Sequence, residues 1–267
     1  MSRAIGIFLC PLFLLIPSGT TPAAGQASIL KVESVKQLRK GVDAWPLLVN
    51  PSNPSEQKVN STLTRLNLRL TKALSDCDAG TLENMKSSGG PRKDWAAAAA
   101  DDWSRNVVVT MLGPRFLSLL ATDEYVSCGG AHPGSDTMAM VFDMTTGTPV
   151  NWPAMVAKSA GASAFADAVS DGSKVGALVL PALAKINLAA ANADCKDAFQ
   201  DPQSFQLWPD AKTGTLVAQA FDLPHVVAEC AIQIPLKLEQ ARALGFDESV
   251  LCAIQQAHTS ATATAKP

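Results

Sequence analysis

An amphipathic stripe between residues 53 and 80 constrains the fold of this chain most strongly. Five apolar residues recur at spacings of four, three, four and four: Val59, Leu63, Leu66, Leu70 and Leu74. This is the period of one face of an α-helix, and such a face needs a sheet or another helix to cover it. Asn53 suits the cap, Pro54 the first helical position and Glu56 the capping box. Gly80 is the predicted end of the helix.

The middle of the chain has the pattern of strands and hairpins. Extended runs are predicted at Val107–Val109, Phe116–Leu120 and Tyr125–Val126, separated by Gly113-Pro114 and by Asp123-Glu124. A hairpin with one buried face follows, because Met138, Met140, Phe142 and Met144 alternate with other residues before the turn Thr145-Thr146-Gly147. A second hairpin is predicted from Phe205 to Phe221, with its turn at 210–214.

The remaining segments are assigned more coarsely. Leu30–Val49 is predicted to be a strand or an arm, Ala96–Ala100 a short helix, and Pro153–Asn192 mostly helix because it is rich in alanine, interrupted near Gly172 and Pro181. Ile232–Ile234 is predicted to be a short strand, and Asp247 to cap a last helix. Strands and helices occur in clusters instead of alternating, so we predict an α+β fold with a mainly antiparallel sheet, packed helices and supporting disulfides.

The N-terminus has the form of a secretory signal peptide over residues 1–27. Arg3 precedes the apolar run Ala4–Ile16, which is shorter than the roughly 20 residues that cross a bilayer. We expect no transmembrane segment and a periplasmic or secreted protein. Removing residues 1–27 leaves one domain, 28–258, and a tail, 259–267, whose composition predicts disorder. The 21 basic and 24 acidic residues that follow residue 27 give a net charge of −3, which argues against a nucleic-acid partner.

Five cysteines follow the signal peptide, and in an oxidising compartment they are expected to form disulfides. We predict Cys195–Cys230, because the hairpin between them would bring its two flanks together. Cys77–Cys128 is the second pairing we predict. An odd number leaves one cysteine over, and the sequence does not decide which one. No CxxC pair occurs, so the cysteines do not indicate a structural zinc site.

The motif CGGAHPG, Cys128 to Gly134, stands between two predicted strands. Gly129 and Gly130 permit backbone angles that other residues avoid, and Pro133 restricts the exit. In a structural interpretation the motif joins two strands, and His132 holds the loop by a hydrogen bond. In a functional interpretation His132 meets a sugar, a peptide or a partner protein, since loops on rigid scaffolds carry binding residues. Both interpretations can hold together.

CGGAHPG and the hairpin MVFDMTTGTPVNW resemble the GGAH-then-DxxTG signature of a family of extracytoplasmic domains. This family occurs in the lysozyme-sensing anti-sigma factor RsiV and beside the catalytic domain of a peptidoglycan deacetylase. The later segment FQLWPDAKTGTLVAQAFDLPHVVAECAIQIP resembles the closing hairpin and final strand of the family, so the resemblance covers residues 59–238. Glu229-Cys230 departs from it, because relatives usually carry a glycine there. The helix that anchors an anti-sigma factor and the HxxxH metal pair of the deacetylase are both missing from this sequence.

The resemblance implies a module that binds a ligand at the cell envelope without catalysis or cofactor. We expect a lysozyme-like protein or a peptidoglycan fragment as that ligand. The candidate contact residues are Gly129, Gly130, His132, Asp136 and His225. Four tryptophans could stack on sugars, or they could belong to the core: Trp95, Trp103, Trp152 and Trp208.

Two enzymatic alternatives must be weighed against binding. His132, Asp136 and His225 could converge into a two-histidine, one-carboxylate metal set, although nothing in their spacing requires it. Three short motifs also occur in the order used by penicillin-binding proteins: SxxK at Ser55–Lys58, SxN at Ser104–Asn106 and KTG at Lys212–Gly214. The alternative function is therefore a cell-wall hydrolase or a serine enzyme of the penicillin-binding type. It requires one of these two groups to meet in one pocket.

Overall fold

The computed structural model describes residues 30–88, 102–126, 128, 133–164, 169–170, 173–174, 177–199, 203–221, 223, 227 and 230–264. The helices span Pro54–Ser87 (α1), Pro181–Ala190 (α2), Leu238–Ala243 (α3) and Glu248–Thr264 (α4). The first six strands are Gln37–Arg39 (β1), Val42–Asp43 (β2), Trp103–Leu112 (β3), Phe116–Tyr125 (β4), Gly134–Asp143 (β5) and Thr148–Pro149 (β6). The others are Ser163–Ala164 (β7), Val169–Ser170 (β8), Ser173–Lys174 (β9), Leu178–Val179 (β10), Ser204–Asp210 (β11), Thr215–Phe221 (β12) and Gln233–Leu236 (β13).

The start of α1 is as the sequence predicts, and its end is not. Asn53 accepts a hydrogen bond from the Glu56 amide at 3.0 Å and donates one to the Glu56 carboxylate at 2.7 Å. The helix continues through Gly80 and ends at Ser87. Thr81, one turn beyond Cys77, is buried, so the packed face of the helix continues past Gly80. Tertiary packing here outweighs the local stop signal.

A six-stranded sheet, ordered β1-β2-β3-β4-β5-β6, packs one face against α1. On that face Leu117, Leu119 and Met140 lie in one buried cluster with Val59 and Leu63 of α1. The opposite face packs against a second sheet, ordered β13-β12-β11-β10-β7. Both faces of β5 are therefore covered over its second half, and the prediction of one buried face for this strand is wrong.

The strand β4 runs without a break through Asp123-Glu124, where the sequence predicted a turn. Acidic residues are uncommon inside strands, but Asp123 is buried and paired with Arg105 on β3. A partner on the neighbouring strand, which the local pattern does not show, keeps this carboxylate in the sheet.

The segment 30–49 is an extended arm held by α1. Asn60 and Asn67 lie seven residues apart on the helix, and each side-chain amide pairs with the backbone of one residue. Asn60 accepts from the Leu48 amide at 2.8 Å and donates to its carbonyl at 2.9 Å. Asn67 does the same with Trp45 at 2.8 and 2.9 Å. The arm thereby obtains its backbone hydrogen bonds from side chains.

The second sheet is joined to the first by a buried glutamine. Gln206 on β11 accepts from the Ala139 amide at 2.9 Å and donates to the Thr137 carbonyl at 2.7 Å. Both groups belong to β5, so a side-chain amide links the two sheets. The last helix, α4, packs on the same core through its buried residues Val250, Leu251 and Ile254. Asp247 caps it by accepting the Ser249 amide at 2.7 Å, as predicted.

Two turns repeat the same construction, with the sequence DxxTGT at 143–148 and 210–215. The aspartate side chain accepts a backbone amide two residues on, at 2.9 Å in the first turn and 2.8 Å in the second. The glycine has a positive φ in both, +66° at Gly147 and +67° at Gly214. The first turn packs against α1 and the second against α4.

The fold class predicted from the sequence is confirmed. Helices flank mostly antiparallel sheets, and within the described residues the one parallel pairing joins β2 to β3. Two disulfides tie distant segments together. In the described part of the chain, no helix combines the length and the hydropathy that a membrane span requires.

Two predictions about helical content are wrong. Among the described residues of Pro153–Asn192, only Pro181–Ala190 form an α-helix, and short 3-10 turns and the strands β7 to β10 occupy much of the rest. Alanine favours helix, but its small side chain also fits between packed strands. Conversely, α4 continues through residues 259–264, where the composition predicted disorder. Thr259 and Ser260 there donate their hydroxyls to carbonyls four residues earlier, which accommodates polar side chains on a helix. The predicted helix at 96–100 lies outside the described residues.

Candidate functional site

The candidate site is the loop between β4 and β5, and its first end is fixed by a disulfide. Cys77 on α1 is bonded to Cys128, which opens the loop. The Asp102 carboxylate accepts the backbone amide of Cys128 at 2.6 Å and the Thr81 hydroxyl at 2.6 Å through the same oxygen. Cys128 has φ +41°, a region that few residues other than glycine adopt. The disulfide and the Asp102 hydrogen bond hold it there.

The other end of the loop is fixed by an aromatic ring. Gly134, the first residue of β5, lies opposite Tyr125 on β4. A Cβ atom at Gly134 would stand 2.5 Å from the Tyr125 ring, so any other residue would displace that ring. Trp103 packs edge-on against Tyr125, with centroids 6.4 Å apart. Both ends of the loop are thus anchored on packed elements.

A buried ion pair underlies this end of the sheet. Arg105 donates to Asp123 at 2.7 Å, with 1% and 7% of their side chains exposed. The second Asp123 oxygen accepts the Trp103 indole N–H at 2.8 Å. The Arg105 guanidinium also stacks 4.7 Å from the centre of the Trp45 ring. Its Nε and Nη2 atoms are buried without a hydrogen-bond partner. This guanidinium is therefore rigidly held, and its interaction with Asp123 uses one of its nitrogens.

The exposed rim of the site carries carboxylates and one apolar side chain. Asp136 on β5 lies directly opposite Asp123 in the register and is exposed. Glu124 on β4 is exposed on the other face of the sheet. Val126, two residues before the disulfide, is 63% exposed. Among the described residues, the rim thus exposes two carboxylates and one large apolar side chain.

The structure describes one of the five predicted contact residues. Asp136 lies on β5 beside the loop, whereas Gly129, Gly130, His132 and His225 lie outside the described residues. Whether His132 and His225 meet Asp136 at a metal stays a prediction.

The four cysteines named as disulfide candidates are bonded Cys77–Cys128 and Cys195–Cys230. Cys252 is disulfide-bonded too, and none of the described cysteines is free. Our expectation of one unpaired cysteine concerned the chain without residues 1–27, and it stays a prediction.

The serine-enzyme motifs are not brought together. Ser55 donates its hydroxyl to the Thr145 carbonyl at 2.9 Å, at the end of β5. Ser104 lies opposite Glu124, eight pairs along the sheet from the Asp143 end, which is about 26 Å at 3.3 Å per residue. Within the described residues no hydrogen bond or ion pair joins Ser55 to Lys212, which lies in the turn beside α4. The SxxK and SxN motifs therefore lie at opposite ends of the strands β4 and β5.

The tryptophans divide between core and rim. Trp152 and Trp208 are each 2% exposed, so neither can stack on a sugar. Trp103 is half-buried beside the loop and keeps part of its ring accessible. Trp95 lies outside the described residues.

Sequence reasoning missed the residues that hold the loop: Thr81, Asp102, Arg105 and Tyr125. Thr81, Asp102 and Tyr125 belong to none of the short motifs, and Arg105 occupies only the variable position of SxN. The alternation of Arg105, Val107 and Val109 would have placed the arginine on the α1 side of β3, which is the one signal available.

Comparisons with known proteins add a likeness of fold. No family model matches the sequence, and no curated protein is similar to it. The structure is similar to the crystal structure of a member of the DUF3298 family from Bacteroides fragilis. The two chains are 12% identical with a TM-score of 0.44, and the match covers 85% of this chain and 96% of the other. A likeness at this level transfers neither a family nor a function.

Proposed function

We propose that this protein is an exported, non-catalytic binding domain of the cell envelope. Its ligand, a lysozyme-like protein or a peptidoglycan fragment, meets the loop 128–134 and the first residues of β5. The observation that carries the proposal is the double anchoring of this loop, by the Cys77–Cys128 disulfide and by Tyr125 over Gly134. Preorganised binding sites are built on positions that the fold holds fixed, and the two ends of this loop are such positions.

The rim favours a protein ligand with a basic surface. Glu124 precedes the loop in the chain and Asp136 follows it, and both side chains are exposed. Val126 offers an apolar contact. Carboxylates at a rim steer a cationic partner and fix its orientation. A neutral glycan would gain less from them and would depend on Trp103 and the loop itself.

Export is supported by two features of the chain. The apolar run 4–16 after Arg3 is typical of a signal peptide. Disulfides such as Cys195–Cys230 form and persist in oxidising compartments. A binding role outside the cytoplasm accounts for both features.

The test is calorimetric titration of the purified protein with a c-type lysozyme and, in parallel, with muropeptides. We expect saturable binding of the lysozyme that weakens at least about tenfold in His132→Ala, because one contact of about 1.4 kcal/mol is lost. Lys212→Ala is the matched control, since it changes an exposed residue in the turn of the second sheet, away from the loop 128–134. It should bind as the unchanged protein does.

Each outcome of this titration decides a part of the proposal. A folded protein that binds neither ligand refutes it. Binding that Lys212→Ala weakens as much as His132→Ala does would move the site away from the loop. Covalent labelling by a fluorescent penicillin would contradict the non-catalytic role. Muropeptide binding without lysozyme binding would select the glycan as the ligand.

A further inference from the structure

Cys77, Asp102 and Cys128, at the first end of the loop, have side chains that can bind a metal; we call these three residues the clasp. The donor atoms of Cys77, Asp102 and Cys128 all lie within 4.8 Å of one another. Cys77 and Asp102 are 4% and 6% exposed, and Cys128 is half-buried. Two thiolates and a carboxylate suit Zn²⁺. In the oxidised protein the two sulfurs are bonded to each other and carry no thiolate charge, so this donor set is not available.

We propose that reduction of the Cys77–Cys128 disulfide creates a Zn²⁺ site made by both sulfurs and a carboxylate oxygen of Asp102, with water as the fourth ligand. An external dithiol supplies two electrons and two protons. The S–S bond breaks, two S–H groups form, and the dithiol becomes a disulfide. Zn²⁺ then displaces both thiol protons to solvent as it binds.

The surrounding structure keeps the three donors together after reduction. Cys77 lies in the interior of α1, and the Cys128 backbone stays fixed by its hydrogen bond to Asp102 at 2.6 Å. A tetrahedral zinc ion with bonds of about 2.3 Å to sulfur and 2.0 Å to oxygen spaces its donors roughly 3.5 to 4 Å apart. That spacing lies inside the 4.8 Å that now contains all three, so side-chain rotations are sufficient.

The carboxylate is oriented as a metal ligand would be. Its Oδ2 atom accepts the Thr81 hydroxyl and the Cys128 amide, both at 2.6 Å. Hydrogen bonds of this kind hold ligating carboxylates in position around metals. A carboxylate has about four acceptor sites, more than these two bonds use. The loop would stay tied to α1 in both redox states, by sulfur when oxidised and by zinc when reduced.

The experiment titrates Zn²⁺ into the phosphine-reduced protein against a chromophoric chelator and records the absorption of the Co²⁺ form. We expect one ion per chain and a thiolate-to-cobalt charge-transfer band. Cys77→Ser should abolish both, and Asp102→Asn should weaken affinity at least about tenfold. Cys195→Ser is the matched control, because it removes one thiol of the Cys195–Cys230 pair and leaves Cys77, Asp102 and Cys128 unchanged. The oxidised protein should take up no Zn²⁺.

Thermal unfolding keeps the test decisive if the reduced protein is unstable. Zn²⁺ should raise the Tm of the reduced protein, since it binds the folded form, and should not do so in Cys77→Ser. No rise in the unchanged protein overturns the proposal. Zinc uptake that survives Cys77→Ser places the metal elsewhere and overturns it too. Wild-type affinity in Asp102→Asn would remove the carboxylate from the site. None of these outcomes depends on the ligand of the loop.

Discussion

Three glycines of nearly equal φ allow steric contact to be separated from backbone strain. Gly161, Gly214 and Gly147 have φ of +69°, +67° and +66°. Alanine at each position carries the same left-handed cost, about 1 to 2 kcal/mol. Their surroundings differ. A Cβ at Gly161 meets nothing within 4 Å, one at Gly214 stands 2.9 Å from the His258 ring, and one at Gly147 stands 2.2 Å from the Ser55 carbonyl oxygen.

The two milder substitutions set the scale. Gly161→Ala should lower the free energy of unfolding by the backbone cost alone, about 1 to 2 kcal/mol. Gly214→Ala also displaces the His258 ring and breaks its 2.8 Å hydrogen bond with the Ala211 carbonyl. That bond contributes about 1 kcal/mol, so the total becomes roughly 2 to 3 kcal/mol.

Gly147→Ala should be the most destabilising of the three. The obstacle is the backbone of α1, which cannot rotate away as a side chain does, so the turn must move off the helix. Overpacking of this kind costs about 1 to 3 kcal/mol. The hydrogen bond that Ser55 donates to the turn, about 1 kcal/mol, is lost as well. With the backbone cost the total is about 3 to 6 kcal/mol.

Urea unfolding of the oxidised proteins measures these differences directly. In thermal unfolding, at about 2 to 4 °C per kcal/mol for a chain of this size, Gly161→Ala should lower the Tm by about 2 to 8 °C and Gly147→Ala by about 6 to 24 °C. The expected order is Gly161, Gly214, Gly147. Equal losses for Gly161→Ala and Gly147→Ala would refute the contact between the turn and α1.

Two further predictions concern charged groups. Asp123→Asn leaves Arg105 buried without a counter-charge and should cost about 3 to 5 kcal/mol in urea unfolding. Lys72→Gln, which opens an exposed ion pair on α1, should change stability little, and equal losses would contradict the difference in burial. The pKa of Asp247 is lowered by hydrogen bonds from the hydroxyl and then the amide of Ser249. Its stabilisation is present above the unfolded pKa of about 3.9 and is lost as the pH falls through the folded value. Asp247→Asn should therefore flatten the decline in unfolding free energy below about pH 4, and a parallel decline would contradict the cap.

The elements that the sequence predicts well are those with local causes. The cap of α1 joins Asn53 to Glu56, three residues away, and the buried stripe repeats within each turn of the helix. The turns at 143–148 and 210–215 are likewise closed by an aspartate and a glycine four residues apart. Such interactions lie inside any short window of sequence, so the pattern shows them.

The errors occur where a distant partner decides the local structure. Gly80 stays helical because the buried face continues to Thr81, which bonds Asp102. Asp123 stays in a strand because Arg105 pairs with it from the neighbouring strand. The alanine-rich segment forms strands because β10 finds a partner in β11. In each case the local preference is worth less than the burial and pairing that the fold supplies.

The candidate site follows the same rule, and this explains which of its residues the sequence shows. Glycine, proline and histidine mark the loop 128–134 in the sequence because they stand together in one short motif. Its support acts across the chain: Thr81 meets Asp102 over 21 residues, Asp102 meets Cys128 over 26, and the disulfide spans 51. Of these links only the disulfide leaves a mark in the sequence, because cysteines in an exported chain pair with each other. A loop motif can therefore suggest where a ligand binds, while the residues that anchor the two ends of the loop emerge only from the fold.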